Sequence, residues 1–240
     1  MKNLKLSYLF LLLIITTIIM SASQFLIAEE VAAEGEYFHK LTVGGGMGFG
    51  SHGMSDDMYD LTKKEVDRMN SERDEDENKR STPEGYFTYS ADLYADYFLS
   101  NWVNISFFSE ALYGDADFGL AIADDDNDME LSNEYDMKRI TFGLMPGAVL
   151  KTTYFTTILN AGVTYNNIHF MDYSAHAIGY RIKMSAKFND DFLSRKKRAN
   201  YIFPRLKVFM LFDRAYGKDH GVRIGSTGVQ FGVEYNFYQI

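Results

Sequence analysis

A chain of 240 residues with net charge −9 and no cysteine lacks the basic surface that nucleic-acid phosphates require. It also excludes a disulfide framework and a lipid-modified N-terminal Cys. Aromatic content of 15% with only three prolines suits a strand-rich protein. After Ile27 no stretch has the length of a transmembrane helix, so any later membrane span must be built of strands.

The N-terminus reads as a secretory signal. Met1-Lys2-Asn3-Leu4-Lys5 carries positive charge, an apolar run follows from Leu6 to Met20, and Ser21-Ala22-Ser23 offers a cleavage site. A signal peptide is expected over residues 1–23, with cleavage as late as 33 at Val31-Ala32-Ala33, leaving a barrel over 36–240. An uncleaved anchor completed by Phe25-Leu26-Ile27 is the alternative.

Beyond it, period-2 alternation recurs eight times, the mark of strands with one apolar and one polar face. The first strand, about Phe38 to Gly50, sets His39, Leu41, Val43, Met47 and Phe49 against Lys40, Thr42, Gly44, Gly46 and Gly48. The second, Gly85 to Phe98, alternates Phe87, Tyr89, Ala91, Leu93, Ala95 and Tyr97 with Thr88, Ser90, Asp92, Tyr94 and Asp96. The third, Trp102 to Gly114, and the fourth, Asp136 to Leu150, place Glu110 and Arg139 on their polar faces. The fifth, Thr153 to Ile168, has a neutral polar face with Asn160, Thr164 and Asn166. The sixth, Ser174 to Phe188, sets Ile178, Tyr180, Ile182 and Met184 against Arg181, Lys183 and Lys187. The seventh, about Arg205 to Tyr216, turns Leu206, Val208, Met210 and Phe212 outward, with Asp213 on the polar face. The eighth alternates Val229, Phe231, Val233, Tyr235 and Phe237 with Gly228, Gln230, Gly232, Glu234 and Asn236.

An even number of such strands can close on itself and leave no edge. The expected fold is all-β: an eight-stranded antiparallel up-and-down transmembrane β-barrel. Connections run long, short, long, short: Ser51 to Glu84, Leu99-Ser100-Asn101, Asp115 to Tyr135, Lys151-Thr152. That rhythm matches long outer loops and tight periplasmic turns. Asn189 to Pro204 is a long connection where a short one is due. A soluble barrel with its apolar faces inside has the same periodicity. Aromatic residues at strand ends and glycines on the polar faces favour the membrane form.

The polar faces then line a narrow lumen. Asp92, Asp96, Glu110, Arg139, Arg181, Lys183 and Glu234 are expected there as a network of opposite charges. A filled, salt-bridged core is the leading expectation, and a narrow polar conduit the second.

Other motifs carry less. Gly44-Gly45-Gly46-Met47-Gly48-Phe49-Gly50 fails the dinucleotide spacing and reads as room made for large inward side chains. Asp124, Asp126 and Asp128 have part of a calcium-loop spacing, but the glycine and glutamate that complete it are missing, so no metal site is assigned. The mixed-charge segment Lys63 to Glu77 reads as a disordered or partly helical surface loop. Arg195-Lys196-Lys197-Arg198 could meet anionic head groups. Among five histidines, Ser51-His52 and His169 with Asp172 are the nearest to an acid–base pair, and neither is convincing.

Gln230-x-Gly232-Val233-x-Tyr235-x-Phe237 resembles the C-terminal assembly signal of bacterial outer-membrane proteins, although Tyr238-Gln239-Ile240 follow it. The whole plan resembles small outer-membrane barrels of the OmpA/OmpX type, with an OmpW-like pore as a variant. The resemblance implies residence in the bacterial outer membrane and recognition by the barrel-assembly machinery. It also implies contact with outer-membrane lipid and lipopolysaccharide, no cofactor, and no nucleic-acid partner. The role it implies is structural or interactive, with an extracellular partner reached through loops 51–84 and 115–135. A narrow channel and a lipid A-modifying enzyme are the alternatives.

Overall fold

The computed structural model describes residues 41–72, 82–116, 135–152, 154–188 and 206–239. The expected signal peptide, the acidic stretch Asp124–Glu130 and the basic cluster Arg195–Arg198 lie outside them. The described strands are β1 (Leu41–Met54), β2 (Gly85–Phe98), β3 (Val103–Asp115), β4 (Met137–Lys151), β5 (Phe155–Phe170), β6 (Tyr173–Phe188), β7 (Leu206–Asp219) and β8 (Val222–Gln239). They pair antiparallel in chain order, and β8 pairs with β1 to close the barrel.

The wall is turned inside out relative to a soluble protein. Outward Ile178 and Met47 are 77% and 71% exposed, whereas inward Arg139 and Arg181 are 1% and 2% exposed. Only a surrounding apolar solvent makes that arrangement favourable, because water would penalise one face and the lumen the other. Each strand carries about five outward apolar positions, such as Ile140, Phe142, Leu144, Ala148 and Leu150 on β4. That is the length a tilted strand needs to cross a bilayer. Rings collect at both borders of this band: Tyr97, Trp102, Tyr154, Phe155, Phe188 and Phe237 at one, Phe87, Tyr89, Tyr113, Tyr165 and Tyr180 at the other. The barrel is a transmembrane one.

Leu41 and Gln239 lie at one end, called here the termini end, with the tight connections after β2 and β4. Thr152 N–H closes the second of these by donating to Phe155 O at 2.9 Å. The opposite end departs from the expected rhythm. β5 runs on to Phe170 and turns into β6 through only Met171-Asp172, with Met171 at φ 52°. β7 and β8 turn through His220-Gly221, both at positive φ, a backbone that suits a two-residue hairpin. The alternation of long and short connections therefore stops after β5, and the long connection after β6 falls at the termini end.

The first long connection also differs. β1 continues through Ser51 to Met54, pairing Ser51 with Val229 and with Phe87, so the loop begins at Ser55 rather than Ser51. Helix α1 (Asp56–Ser71) follows. Asp56 and Asp57 in its first turn and Arg68 in its last complement the helix dipole. Met58, Thr62 and Val66, one face at helical spacing, are buried. They cover an apolar cluster of Tyr86, Leu112, Met137, Ile168, Phe170 and Ile224 inside the barrel mouth. Ser55, the residue before the helix, donates its hydroxyl to Arg223 O (2.7 Å) and its N–H to Gly225 O (3.0 Å), fastening α1 to β8. The outer face is polar: Lys63 pairs with Asp67 at 2.6 Å, and the Arg68 guanidinium holds the Glu65 carboxyl below its ordinary pKa.

Inward glycines make niches for the rings that fill the lumen. A Cβ on Gly143 would lie 2.2 Å from Phe108 Cε1, and one on Gly232 would lie 2.6 Å from Phe209 Cζ. Neither ring can keep its place against a methyl group. Gly143→Ala is expected to destabilise the barrel by about 1–3 kcal/mol. A lower urea midpoint in detergent, followed by heat-modifiable gel migration, would register it; an unchanged midpoint would contradict the niche.

Candidate functional site

Alternation on seven strands directs ten ionisable side chains into one narrow lumen, and the register decides how they meet. Asp92 and Glu110 stand directly opposite each other across β2 and β3. Like charges in that position repel, so each needs a cation from elsewhere. β6, on the far side of the barrel, supplies both: Arg181 takes Glu110 and Lys183 takes Asp92.

Two clusters result. Nearer the helix end, Arg181 Nη1 and Nη2 donate to Glu110 at 3.1 and 2.6 Å, and Nη2 also donates to Asp213 at 2.8 Å. Arg139 Nη2 pairs with Asp213, lies 3.6 Å from Glu110, and its Nη1 donates to Ser226 Oγ at 3.2 Å. His52 Nε2 meets Asp213 at 2.8 Å, and its Nδ1 meets the Thr88 hydroxyl at 3.0 Å. A carboxylate can only accept, so Nε2 donates to Asp213. Asp213 thus serves three basic side chains from β1, β4 and β6.

Nearer the termini end, Lys183 pairs with Glu234 and lies 3.4 Å from Asp92. Lys207 reaches Asp96 at 3.1 Å and Glu234 at 3.2 Å. Aromatic rings pack against the same cations: Phe108 at 4.6 Å from Arg181, Phe209 at 4.7 Å from Lys183, and Tyr94 at 3.9 Å from Lys207. These rings present their electron-rich faces to the cations and fill the space between the clusters.

Asp92, Asp96, Glu110, Arg139, Arg181, Lys183 and Glu234 point into the lumen together with Asp213, placed on the polar face of the seventh strand, and beside them stand His52 and Lys207. His52 escaped the sequence reading because β1 was ended at Gly50. Two more steps of the same alternation, Ser51 out and His52 in, were the available signal. Lys207 and Asp213 lie on the same face of the least regular strand. Lys187, also expected inward, is only half-buried and cross-pairs with Lys207 in the register.

Apolar side chains lie on both sides of the charges. The cluster under α1 occupies the helix end, and Phe98, Val149 and Ile158 form a second buried cluster toward the termini end, beside buried Asn104 and Thr156. Between them Tyr94, Phe108 and Met145 fill the section.

The acid–base candidates separate. Ser51 and His52 are consecutive strand residues and point to opposite faces, with His52 enclosed in the wall. His169 is exposed on the outer surface of β5, while Asp172 lies in the turn beyond it. Among the described residues no cluster of His and carboxylates has a metal-holding arrangement. In the proposed assembly motif, Gln230 faces inward and accepts from Ser90 Oγ at 2.7 Å, Gly232 lies beneath the Phe209 ring, and Val233 and Phe237 are exposed to the outside.

No known family model matches the sequence, and no curated protein matches it. Solved structures do. Neisserial surface protein A is similar with TM-score 0.45 and 13% identity, covering 85% of this chain and 100% of its own. Ail of Yersinia pestis is similar with TM-score 0.33 and 12% identity, over 82% of this chain and 100% of its own. OprG of Pseudomonas aeruginosa follows with TM-score 0.37 and 10% identity, over 82% and 95%. The closed antiparallel sheet, apolar outside and charged inside, makes the chain an eight-stranded transmembrane β-barrel.

Removing the shared carboxylate with Asp213→Asn leaves Arg139 and Arg181 competing for Glu110. A loss of about 3–5 kcal/mol is expected, the magnitude for a broken buried pair. Fluorescence of the single tryptophan, Trp102, during urea unfolding in detergent would measure it. Asp213→Asn unfolding at the wild-type midpoint would mean that the cluster carries no net stability.

Proposed function

We propose that this protein is a non-catalytic, non-conducting component of the outer membrane that works through its surfaces rather than its lumen. The observation that carries the proposal is the triple closure of the interior: an apolar plug, two ion-pair clusters separated by rings, and α1 seated over the mouth. A conduit needs a continuous polar path, and apolar side chains occupy both ends of this one. A lipid-modifying enzyme needs an acid–base pair open to the bilayer, whereas His52 is enclosed and its ring nitrogens are both engaged.

The working surface in this reading is the helix end. The polar face of α1, with Lys63, Lys64, Asp67 and Arg68 exposed, is held rigidly on the barrel and presents charges of both signs to an extracellular partner. Residues Gln230, Gly232, Val233, Tyr235 and Phe237 would be read by the barrel-assembly machinery during insertion. The second reading, a narrow channel for small or hydrophobic solutes, would require α1 and the cluster beneath it to move aside.

Planar-bilayer recording separates the two. The purified barrel is expected to give no discrete current steps at any applied potential. Discrete steps from the wild-type protein would overturn the proposal in favour of the channel.

A further inference from the structure

The two ion-pair clusters differ in their charge count. In the one nearer the helix end, Glu110 and Asp213 are matched by Arg139 and Arg181, so it is neutral without a charge on His52. In the one nearer the termini end, three carboxyl groups, Asp92, Asp96 and Glu234, meet two ammonium groups, Lys183 and Lys207. Lys187, the next basic side chain along β6, is half-buried two inward positions further toward the termini end. Fully ionised, the Asp92–Asp96–Glu234 cluster carries one negative charge too many inside the wall, which burial penalises.

The geometry shows where that charge is relieved. The register sets Gly46 on β1 between Asp92 on β2 and Glu234 on β8. A Cβ on Gly46 would lie 2.5 Å from Asp92 Oδ1 and 2.7 Å from Glu234 Cγ, so both side chains converge in the space the glycine leaves open. There the two carboxyl groups come within hydrogen-bonding reach of each other. Their side chains are 7% and 0% exposed. Lys183 takes Asp92 Oδ2 and Glu234 Oε1. Asp92 Oδ1 and Glu234 Oε2 accept no hydrogen bond, although Lys207 lies 3.2 Å from the latter. Two carboxylates only accept, so their contact is repulsive until one of them carries a proton. The other groups facing the pair are Glu110 from β3, Lys183 from β6, Lys207 from β7, and Asp96 and Tyr94 from β2. The Tyr94 hydroxyl donates to Asn236 and supplies nothing to the pair.

We propose that Asp92 and Glu234 bind one proton between them at neutral pH, as a carboxylic acid donating to a carboxylate beside Gly46. The proton removes the excess charge, supplies the missing donor and joins β2 to β8 over the closing β1–β8 ladder. The two groups meet only when that ladder has formed, so closure of the barrel takes up a proton. The site belongs to the pair, and either carboxyl serves as donor. It is independent of whether the lumen conducts and of what the helix end binds. Carboxyl groups of the unfolded chain are ionised at neutral pH, so the folded state binds one proton more. Stability is therefore lost as pH rises through the titration of the pair, by up to about tenfold in the folding constant per pH unit.

The test uses the full chain folded in detergent, with Asp92→Asn as the variant and heat-modifiable migration as the report of folding. Infrared spectra of the wild type at neutral pH are expected to show a protonated-carboxyl C=O stretch that moves in heavy water. Asp92→Asn should lack it. In urea, the wild-type midpoint should fall as pH is raised above neutral. Asp92→Asn, whose amide donates in place of the acid, should match the wild type at neutral pH and keep its midpoint as pH rises. A wild type without the infrared band would overturn the proposal, whatever the variant does. So would a band that survives in folded Asp92→Asn, or a wild-type midpoint that does not fall. Destabilisation of Asp92→Asn at neutral pH as large as that of Asp213→Asn would overturn it too, by showing the pair ionised and leaving the balancing charge to His52.

Discussion

The lumen of this barrel depends on charges that find part of their partners only across the barrel. Asp92 and Glu110 face each other across one ladder, so their cations must come from β6 on the opposite side of the lumen. Asp213 on β7 pairs with its ladder neighbour Arg181 on β6 and also draws in His52 from β1 and Arg139 from β4. Such pairs hold only if the lumen is about as wide as two side chains end to end, which is the interior an eight-stranded barrel provides. Strand number, register and charge placement are therefore a single constraint. A slip of one residue in any strand but β5 would turn its inward charged side chains toward lipid.

The remaining lumen residues serve that constraint. Phe108, Phe209 and Tyr94 keep water from the cations and pack against them, and Gly143 and Gly232 give two of those rings their space. Apolar clusters flank the charges toward both ends. In a dry site an ion pair is strong but an orphaned charge is costly, so the network tolerates little loss.

Strand faces were legible because lipid on one side and a polar lumen on the other impose a strict alternation. The fold and seven lumen charges, from Asp92 to Glu234, followed from it. His52 was hidden by ending β1 at a glycine run that continues as strand. The helix was visible in principle: Met58, Leu61, Thr62, Val66 and Met69 recur at helical spacing within a segment whose charge density reads as loop. The turn at Met171-Asp172 was not visible, since it lacks the glycine or asparagine that marks two-residue hairpins. The three residues after Phe237 looked like an excess over the assembly motif. Two of them belong to β8, where Tyr238 and Gln239 pair with Val43 and Thr42 after a register shift at Val43/Gly44.

That last ladder has a kinetic side. Seven ladders join strands that follow one another in sequence, but the eighth joins Thr42 to Gln239, in the first and last described strands. Loop closure over such a separation is the slowest contact to find, and contacts of this kind set folding speed. A soluble sheet could wait with its edges in water. In hydrocarbon an open sheet leaves two rows of unpaired amides that nothing nearby can satisfy. Insertion and closure must therefore occur together, so no hairpin of this protein can rest in the membrane ahead of the others.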